Sequence, residues 1–256
     1  ALTTVSGYVA AAIGHEVHTY AMEPHALTFR PPWDCAFVSS CLASQGSTLV
    51  VGDAMHSLTV LTVAEDGRLS ESARDLHPYW TSAVCVLDEE QQRYLGTDVA
   101  MNLFVAERAK GTEPESPWSH VMRHAAACHV GDLVNAIHTL PGGRVMYATA
   151  SGALGTLVHV PEPVARVLLC VQDAMIEVVP APGDIPWESW RTSRTDTRTE
   201  PPHHILDADV LRFFVSDPSV RSPCLDKAGS LAQARDIPMA EMAEERILHM
   251  LHALLS

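Results

Sequence analysis

The stretch "RYLGTDVAMNLFVAE" at residues 93–107 consists of two apolar runs that flank a short turn segment. Both runs are rich in residues that favour β-strands, and the turn between them carries Gly, Asp and Asn. Two apolar runs joined in this way predict a β-hairpin.

The same pattern recurs three more times. The other copies are "YVAAAIGHEVHTYAM" (8–22), "TLVVGDAMHSLTVLTV" (48–63) and "VMYATASGALGTLVHV" (145–160). The anchors Gly14, Gly52, Gly96 and Ala148 are separated by 38, 44 and 52 residues. A repeat of about 40 to 50 residues with several short strands is typical of a β-propeller blade. We predict a mainly β fold with a partial β-propeller of about four blades at residues 1–160, in which a polar loop at 107–124 lengthens one repeat.

Four blades do not close a propeller, which usually needs about seven. The sequence also opens at Ala1 with no leader-like pattern after it. We therefore expect the chain to be part of a longer protein that supplies the remaining blades.

The pattern changes to helix near residue 160, and we predict a C-terminal helical domain at 161–256. "PEPVARVLLCVQDAMIEVV" predicts a helix that begins at a proline, "DADVLRFFVS" a short Asp-capped helix, and "PMAEMAEERILHMLHALLS" a longer one. The predicted core-facing residues are Val164, Leu168 and Val171 in the first helix and Met242, Ile247, Met250 and Leu251 in the last.

An arginine-rich segment, "WESWRTSRTDTRTEPP" at 187–202, interrupts the helical domain. Its residues Arg191, Arg194 and Arg198 form the one basic cluster in a chain of net charge -14. Because such a charge repels phosphate backbones, we predict an extended strap whose arginines pair with carboxylates and carbonyl oxygens rather than with DNA. A surface loop without fixed contacts remains the alternative.

Composition argues against several other classes of protein. None of the six cysteines forms a C-x-x-C pair, which indicates reduced thiols in a cytosolic or nuclear protein. No apolar run reaches the roughly 18 residues of a membrane span. The motif "GHEVHTY" has H-E-x-H rather than zinc-protease spacing, and no phosphate loop or nucleophile elbow is present. The sequence therefore predicts a binding scaffold with no metal, no cofactor and no catalytic residue.

Several stretches together resemble the C-terminal region shared by the large subunits of the UV-damaged DNA-binding protein and of the cleavage and polyadenylation specificity factor (CPSF A), and by the propeller subunit of a splicing factor. The resemblance is strongest to the first branch. The stretches that carry it are "VGDAMHSLTVL", "ARDLHPYWTSAVCVLDE", "YLGTDVAMNLFV", "HVGDLVNAIH", "TASGALGTL" and "WRTSRTDTRTEPPHHILDADVL".

In this family a W-R-S-x-x-T-E-x-K-T-E-P strap leads into an I-D-G-D-L helix start. The matching residues here are Trp190, Arg191, Thr195, Asp196, Thr199, Glu200 and Pro201, followed by Asp207 and Asp209. Ala208 replaces the family's glycine, so the helix could begin at a different angle. The resemblance implies that the strap, including Arg194 and Arg198, ties the last blade to the C-terminal helices.

The resemblance also implies a function. The family branch is a non-enzymatic adaptor of a cullin-RING ubiquitin ligase that acts in DNA repair, in the nucleus and also the cytoplasm. It has three propellers, and the third would be the one present here. Expected partners are substrate receptors of WD-repeat type, a cullin bound by parts of the protein outside this chain, and nucleic acid only indirectly. No membrane contact is expected.

One wall of the receptor-binding cleft would lie in this chain. The matching positions are Thr19, Tyr20, Trp80, Leu133, Asn135 and Ala150. Thr19 and Leu133 replace larger apolar residues of the family, so the resemblance implies a less apolar pocket. Trp80 could instead fill a blade corner.

A second function from another class remains open at this point. The other branches of the family imply a scaffold for pre-mRNA processing that works beside RNA. The strap and "DLHPYWTSAV" favour the ubiquitin-ligase branch.

Overall fold

The computed structural model describes residues 1–108 and 120–255. Most of the polar loop predicted at 107–124 therefore lies outside the described residues. The chain divides into a strand unit, residues 1–157 with 191–203, and a helical unit, residues 158–190 with 204 onward.

The strand unit contains four consecutive antiparallel sheets. The first consists of β1 (Leu2–Val5), β2 (Tyr8–Ile13), β3 (Glu16–Glu23), β4 (Ala26–Phe29) and the short β5 (Trp33–Asp34), which pairs with β3. The second consists of β6 (Ser39–Gln45), β7 (Thr48–Asp53), β8 (Leu58–Val63) and β9 (Leu69–Arg74). The third consists of β10 (Thr81–Asp88), β11 (Arg93–Asp98), β12 (Asn102–Arg108) and β13 (Met122–His129). The fourth consists of β14 (Val134–Thr139), β15 (Val145–Thr149) and β16 (Leu154–Leu157).

All four predicted hairpins are confirmed, and each supplies the second and third strands of its sheet. They are the pairs β2–β3, β7–β8, β11–β12 and β15–β16. The anchors Gly52, Gly96 and Ala148 lie within second strands, whereas Gly14 lies in the turn after β2 at a φ of 64°. Gly14 therefore does not occupy the same place in its sheet as the other three anchors.

The sheets stack side by side like the blades of a propeller. Consecutive residues of β7 show this, because Leu49 and Val51 pack in a cluster with the first sheet while Val50 packs in a cluster with the third. First strands are neighbours as well, since the Ser82 hydroxyl in β10 donates to the carbonyl oxygen of Val134 in β14 at 2.8 Å. Burial on both faces explains why these strands are continuous apolar runs. The predicted partial propeller of about four blades is confirmed.

The helical unit follows the fourth sheet. Its helices are α1 (Glu162–Val178), α2 (Trp187–Arg191), α3 (Ala208–Ser216), α4 (Arg221–Ala234) and α5 (Glu244–Leu255). None of the helices in the described part of the chain has both the length and the apolar character needed to span a membrane.

The core of the helical unit contains the predicted faces of α1 and α5. Leu168, Val171, Ile247 and Leu251 are buried there, and Val164 packs against them from the edge. The last predicted helix is shorter than its pattern, because residues 239–242 form a 3₁₀ turn before α5 begins.

Asp207 fixes the start of α3. Its carboxylate accepts hydrogen bonds from the backbone N–H of Asp209 at 3.0 Å and from Nε1 of Trp187 at 2.8 Å. Its own N–H donates to Oε1 of Gln172 at 2.6 Å. The helix is therefore capped as predicted even with Ala208 in place of a glycine.

Candidate protein-docking surface

Two buried aspartates shape turns at one end of the strand unit. Oδ1 of Asp53, the last residue of β7, accepts a hydrogen bond from the N–H of Met55 at 2.8 Å. Oδ1 of Asp98, the last residue of β11, accepts one from the N–H of Asn102 at 2.9 Å. Burial raises the pKa of Asp98, although the hydrogen bonds from Asn102 oppose this shift. Because the carboxylates hold the turn backbone, the side chains of the turns can face solvent.

These two turns, and the matching turn of the fourth sheet, are bonded to the segments that lead into their sheets. The N–H of Ala54 donates to the carbonyl oxygen of Val38 at 2.8 Å, and the N–H of Val99 donates to that of Trp80 at 3.0 Å. In the fourth sheet the N–H of Ala150 donates to the carbonyl oxygen of Leu133 at 2.8 Å. A further bond, from Ser57 N–H to the carbonyl oxygen of Tyr79 at 3.0 Å, joins the second sheet to the third. These segments therefore form one continuous end of the strand unit.

Large hydrophobic side chains are exposed along this end. We term this set the apolar end; it comprises Phe37, Val38, Met55, Leu76, Trp80, Val99, Met101 and Leu154. The side chain of Trp80 is 58% exposed, so it does not fill a blade corner. Exposed large apolar residues that gather at one end of a fold indicate a protein–protein interaction site.

The turns at the other end of the sheets have the opposite character. They read "QGS" at 45–47, "EDGR" at 65–68, "EEQQ" at 89–92 and "PGGR" at 141–144. Polar and glycine-rich turns are what solvent-facing hairpins ordinarily carry. Within the second, third and fourth sheets, exposed large apolar residues are thus concentrated at the apolar end. The first sheet exposes a separate set, Leu2, Ile13, Met22, Leu27 and Phe29.

Four of the six predicted receptor-binding residues lie at or beside the apolar end. Trp80 is one of its two aromatic residues, with Phe37. Leu133 and Ala150 are joined by their backbone bond, and Asn135 follows two residues later as an exposed side chain of β14. The hydroxyl of Ser82 links the Trp80 segment to this region through its bond to the β14 backbone.

The other two predicted residues lie inside the first sheet, on β3. Thr19 is fully buried, and its hydroxyl donates to the carbonyl oxygen of Gly67 at 2.6 Å. Tyr20 is half-buried, with its ring centroid 5.9 Å from that of Phe29. Thr19 therefore joins the first sheet to the second. Of these two residues, only Tyr20 is exposed enough for a partner to contact it.

Sequence reasoning missed most of the apolar end. Met55 and Met101 stand in the predicted turns "DAMHS" and "DVAMN", where polar residues are usual. That apolar pair in matching turns was an available signal. Leu76 and Leu154 gave no comparable signal, because an apolar residue beside a strand is ordinarily assigned to the core.

A buried aspartate anchors the segment that carries Trp80. Asp75 accepts a hydrogen bond from the Ser57 hydroxyl at 2.6 Å and is also contacted by the rings of His77 and His124. Burial would raise the pKa of Asp75, but the hydrogen bonds from His124 and His77 outweigh it and hold the pKa well below its usual range. The loop that presents Trp80 is therefore fixed by buried polar contacts.

The arginine-rich strap is a small hairpin and not an extended segment. After α2 ends, β17 (Ser193–Arg194) pairs with β18 (Thr199–Glu200). Thr195 closes the turn, because its hydroxyl oxygen accepts from the N–H of Arg198 at 3.0 Å. Local side chain–backbone bonds of threonine favour such a turn over an extended chain.

The side chain of Asn102 attaches this hairpin to the third sheet. Its Nδ2 donates to the carbonyl oxygen of Arg194 at 3.0 Å, and its Oδ1 accepts from the N–H of the same residue at 3.2 Å. A backbone bridge between Ala127 and His203 adds a second attachment. The hairpin of the strap thus belongs to the strand unit.

The strap residues differ in what their side chains do. Arg198 pairs with Glu200 at 3.1 Å, as expected for a strap that neutralises its own charge. Arg194 is exposed, and Trp190 at the end of α2 is half exposed in the helical unit. Burial lowers the pKa of His129, and the positive charges of Arg191 and Arg194 lower it further.

Comparison with known proteins identifies relatives over most of this chain. A family model described as "CPSF A subunit region" matches residues 1–216. DNA damage-binding protein 1 of Drosophila melanogaster is 28% identical over 232 residues, which is 84% of this chain and 20% of that protein. DNA damage-binding protein 1a of Arabidopsis thaliana is 27% identical over 233 residues, or 84% of this chain and 21% of that protein. The chain thus spans about a fifth of the length of these curated relatives.

Proposed function

The chain belongs to the CPSF A subunit region family, and we propose that it is a non-enzymatic scaffold whose apolar end holds a partner protein. The exposed apolar residues on a rigid set of blades are the observation that carries this proposal. Propellers commonly use one end of the blades to bind proteins. The relatives are named as DNA damage-binding proteins.

More specifically, we propose an adaptor of a cullin-RING ubiquitin ligase that acts in the nucleus, and also the cytoplasm, during DNA repair. Its partners at the apolar end are substrate receptors of WD-repeat type. Because the relatives are about five times longer than this chain, we assign the cullin contact to regions that these residues do not align with. Trp80 supports this proposal, since exposed tryptophan is typical of the centre of a binding interface.

We expect Trp80→Ala to weaken binding of a purified WD-repeat substrate receptor by roughly 30-fold or more, because removing a central interface aromatic costs about 2 kcal/mol. Binding is measured by titration calorimetry, with the melting temperature recorded for each variant. Trp80 is exposed, so the fold should survive its removal.

Trp190→Ala is the matched control for this experiment. Trp190 has a similar exposure, 50%, but is not one of the residues of the apolar end. We expect it to leave receptor affinity unchanged. Equal affinity for both variants and the unsubstituted protein, with equal melting temperatures, would show that the apolar end is not the receptor site.

A scaffold for pre-mRNA processing is the second candidate, favoured by the description of the matching family itself. A net charge of -14 disfavours direct nucleic-acid contact by this chain. We expect duplex DNA and RNA to bind no more tightly than roughly 10⁻⁴ to 10⁻⁶ M, with steep salt dependence. Tighter binding that persists at high salt and disappears on replacing Arg191, Arg194 and Arg198 with glutamine would favour the RNA-processing scaffold.

A further inference from the structure

Two histidines and one aspartate converge in the strand unit from distant parts of the sequence. Asp75 and His77 lie between β9 and β10, whereas His124 lies in β13. Nδ1 of His77 is 2.5 Å from one carboxylate oxygen of Asp75, and Nε2 of His124 is 2.9 Å from the other. The three potential ligand atoms all lie within 4.8 Å of one another.

Packing holds both imidazole rings in this orientation. The ring centroids of His77 and His124 are 4.0 Å apart, and those of Tyr79 and Phe104 lie 5.3 and 4.9 Å from that of His124. The carboxylate of Asp75 is fixed as well, because its side chain is fully buried and accepts the Ser57 hydroxyl. The three side chains are therefore held close together before any ligand arrives.

We propose that Asp75, His77 and His124 form a binding site for a divalent transition-metal ion of the Zn²⁺ class. Two imidazole nitrogens and one carboxylate oxygen suit Zn²⁺ or Co²⁺, whereas Mg²⁺ and Ca²⁺ favour oxygen ligands alone. Three protein ligands leave a fourth position for water.

The ion takes the place of the hydrogen-bonding protons between the rings and the carboxylate. Each imidazole binds the ion in its neutral form and then carries its proton on the other ring nitrogen. The side chain of His77 is 24% exposed, which gives the ion a route from solvent. Nδ1 of His124 is buried without a partner among the described residues, so its proton gains no hydrogen bond and affinity falls by roughly 10- to 100-fold relative to a fully supported site.

Bound metal would connect two structural elements. His77 lies in the segment that also carries Leu76 and Trp80, and His124 belongs to the outer strand of the third sheet. Metal binding should therefore stabilise the loop of the apolar end against the sheet beside it. This inference does not depend on which protein the apolar end binds.

The first test is a titration of the EDTA-treated protein with Co²⁺, followed by visible absorption and then by competition with Zn²⁺. We expect one equivalent to bind and His77→Gln to weaken it by about 100-fold or more through loss of a ligand. His15→Gln is the control, because His15, Glu16 and Asp34 form a second, more exposed group of possible ligands. Binding that is lost with His15→Gln and kept with His77→Gln overturns the proposal.

A second test needs no substitution and so does not depend on whether a variant folds. X-ray absorption of the unsubstituted protein with one equivalent of Zn²⁺ should show two imidazole ligands, and the melting temperature should rise on adding Zn²⁺. Fewer than two imidazoles, or no stoichiometric binding, would mean that the three residues are only a hydrogen-bonded structural cluster.

Discussion

Phe104→Ala should lower the free energy of unfolding of the strand unit by about 3 to 5 kcal/mol, the usual cost of emptying a fully buried aromatic site. Phe104 is 1% exposed in the cluster shared by the second and third sheets. Its ring centroid lies 4.9 Å from those of both Tyr79 and His124. Because Tyr79 directly precedes Trp80, the cavity would also loosen the apolar end.

Phe213→Ala is the control for this substitution. The same atoms are removed, but Phe213 is 50% exposed on α3. We expect a change within about 0.5 kcal/mol, since alanine also favours the helix slightly. Urea and thermal unfolding of both variants provide the measurement, and similar losses of stability would contradict the packing assigned to Phe104.

Gly96 allows a sharper test of the same contact. The two residues are cross-strand neighbours, and a Cβ atom on Gly96 would lie 2.4 Å from Cζ of Phe104. Gly96→Ala should therefore destabilise the protein by about 1 to 3 kcal/mol through overpacking. In the Phe104→Ala background the added methyl group has room, so the same substitution should be neutral or stabilising. An equal cost in both backgrounds would show that the ring does not lie against Gly96.

This glycine shows why part of the fold could be predicted from the sequence. A hairpin is specified locally, by two apolar runs and a turn, and the repeat of such hairpins identified the blades. The reason for glycine at position 96 is not local, because it is the approach of Phe104 from the next strand. The repeat of the anchor residues can therefore be recognised in the sequence, whereas the contact that requires glycine at position 96 can be recognised only in the structure.

Other elements could not be predicted because their stabilisation is tertiary. Helix α4 buries small residues, including Cys224, Ala228 and Ala232, so it shows no strong apolar stripe. The strap was predicted as extended, since neither its short strands nor its attachment to Asn102 has a pattern of its own. In the same way, His77 and His124 are 47 residues apart in the sequence, and only the pairing of sheets brings them together.

The candidate site was predictable to a similar degree. Trp80 was identified through the family resemblance, and its exposure is consistent with that role. Thr19 was identified in the same way, but its side chain is buried and its hydroxyl donates to the carbonyl oxygen of Gly67. A resemblance transfers positions between relatives, whereas the exposure of each side chain depends on this chain's own packing.

Asn102→Leu should be the most disruptive single change to the strap. Asn102 is 3% exposed, and its side chain bonds to Asp98, to both backbone groups of Arg194 and to His129. Leucine has a similar volume but leaves these buried or part-buried groups without partners. At about 1 to 3 kcal/mol for each strongly affected group, we expect a total loss of about 3 to 5 kcal/mol.

Asn135→Leu is the matched control, because Asn135 is an exposed side chain of β14. It should change the free energy of unfolding by less than about 0.5 kcal/mol. Trypsin provides a local readout, since the exposed Arg194 and Arg198 flank the turn of the strap hairpin. Cleavage there should become faster with Asn102→Leu and stay unchanged with Asn135→Leu.

The pH dependence of the Asn102→Leu variant distinguishes lost hydrogen bonds from poor packing. The pKa of Asp98 is already raised by burial, and the bonds from Asn102 are what restrain it. Without the side-chain bond the pKa should rise further. A carboxyl group whose pKa is higher in the folded state than in the unfolded state favours folding increasingly as the pH falls through the folded value. The stability deficit of the variant should therefore shrink when the pH is lowered from neutrality through this raised pKa. A deficit that stays constant with pH would place the damage in packing instead of in the carboxylate that Asn102 holds.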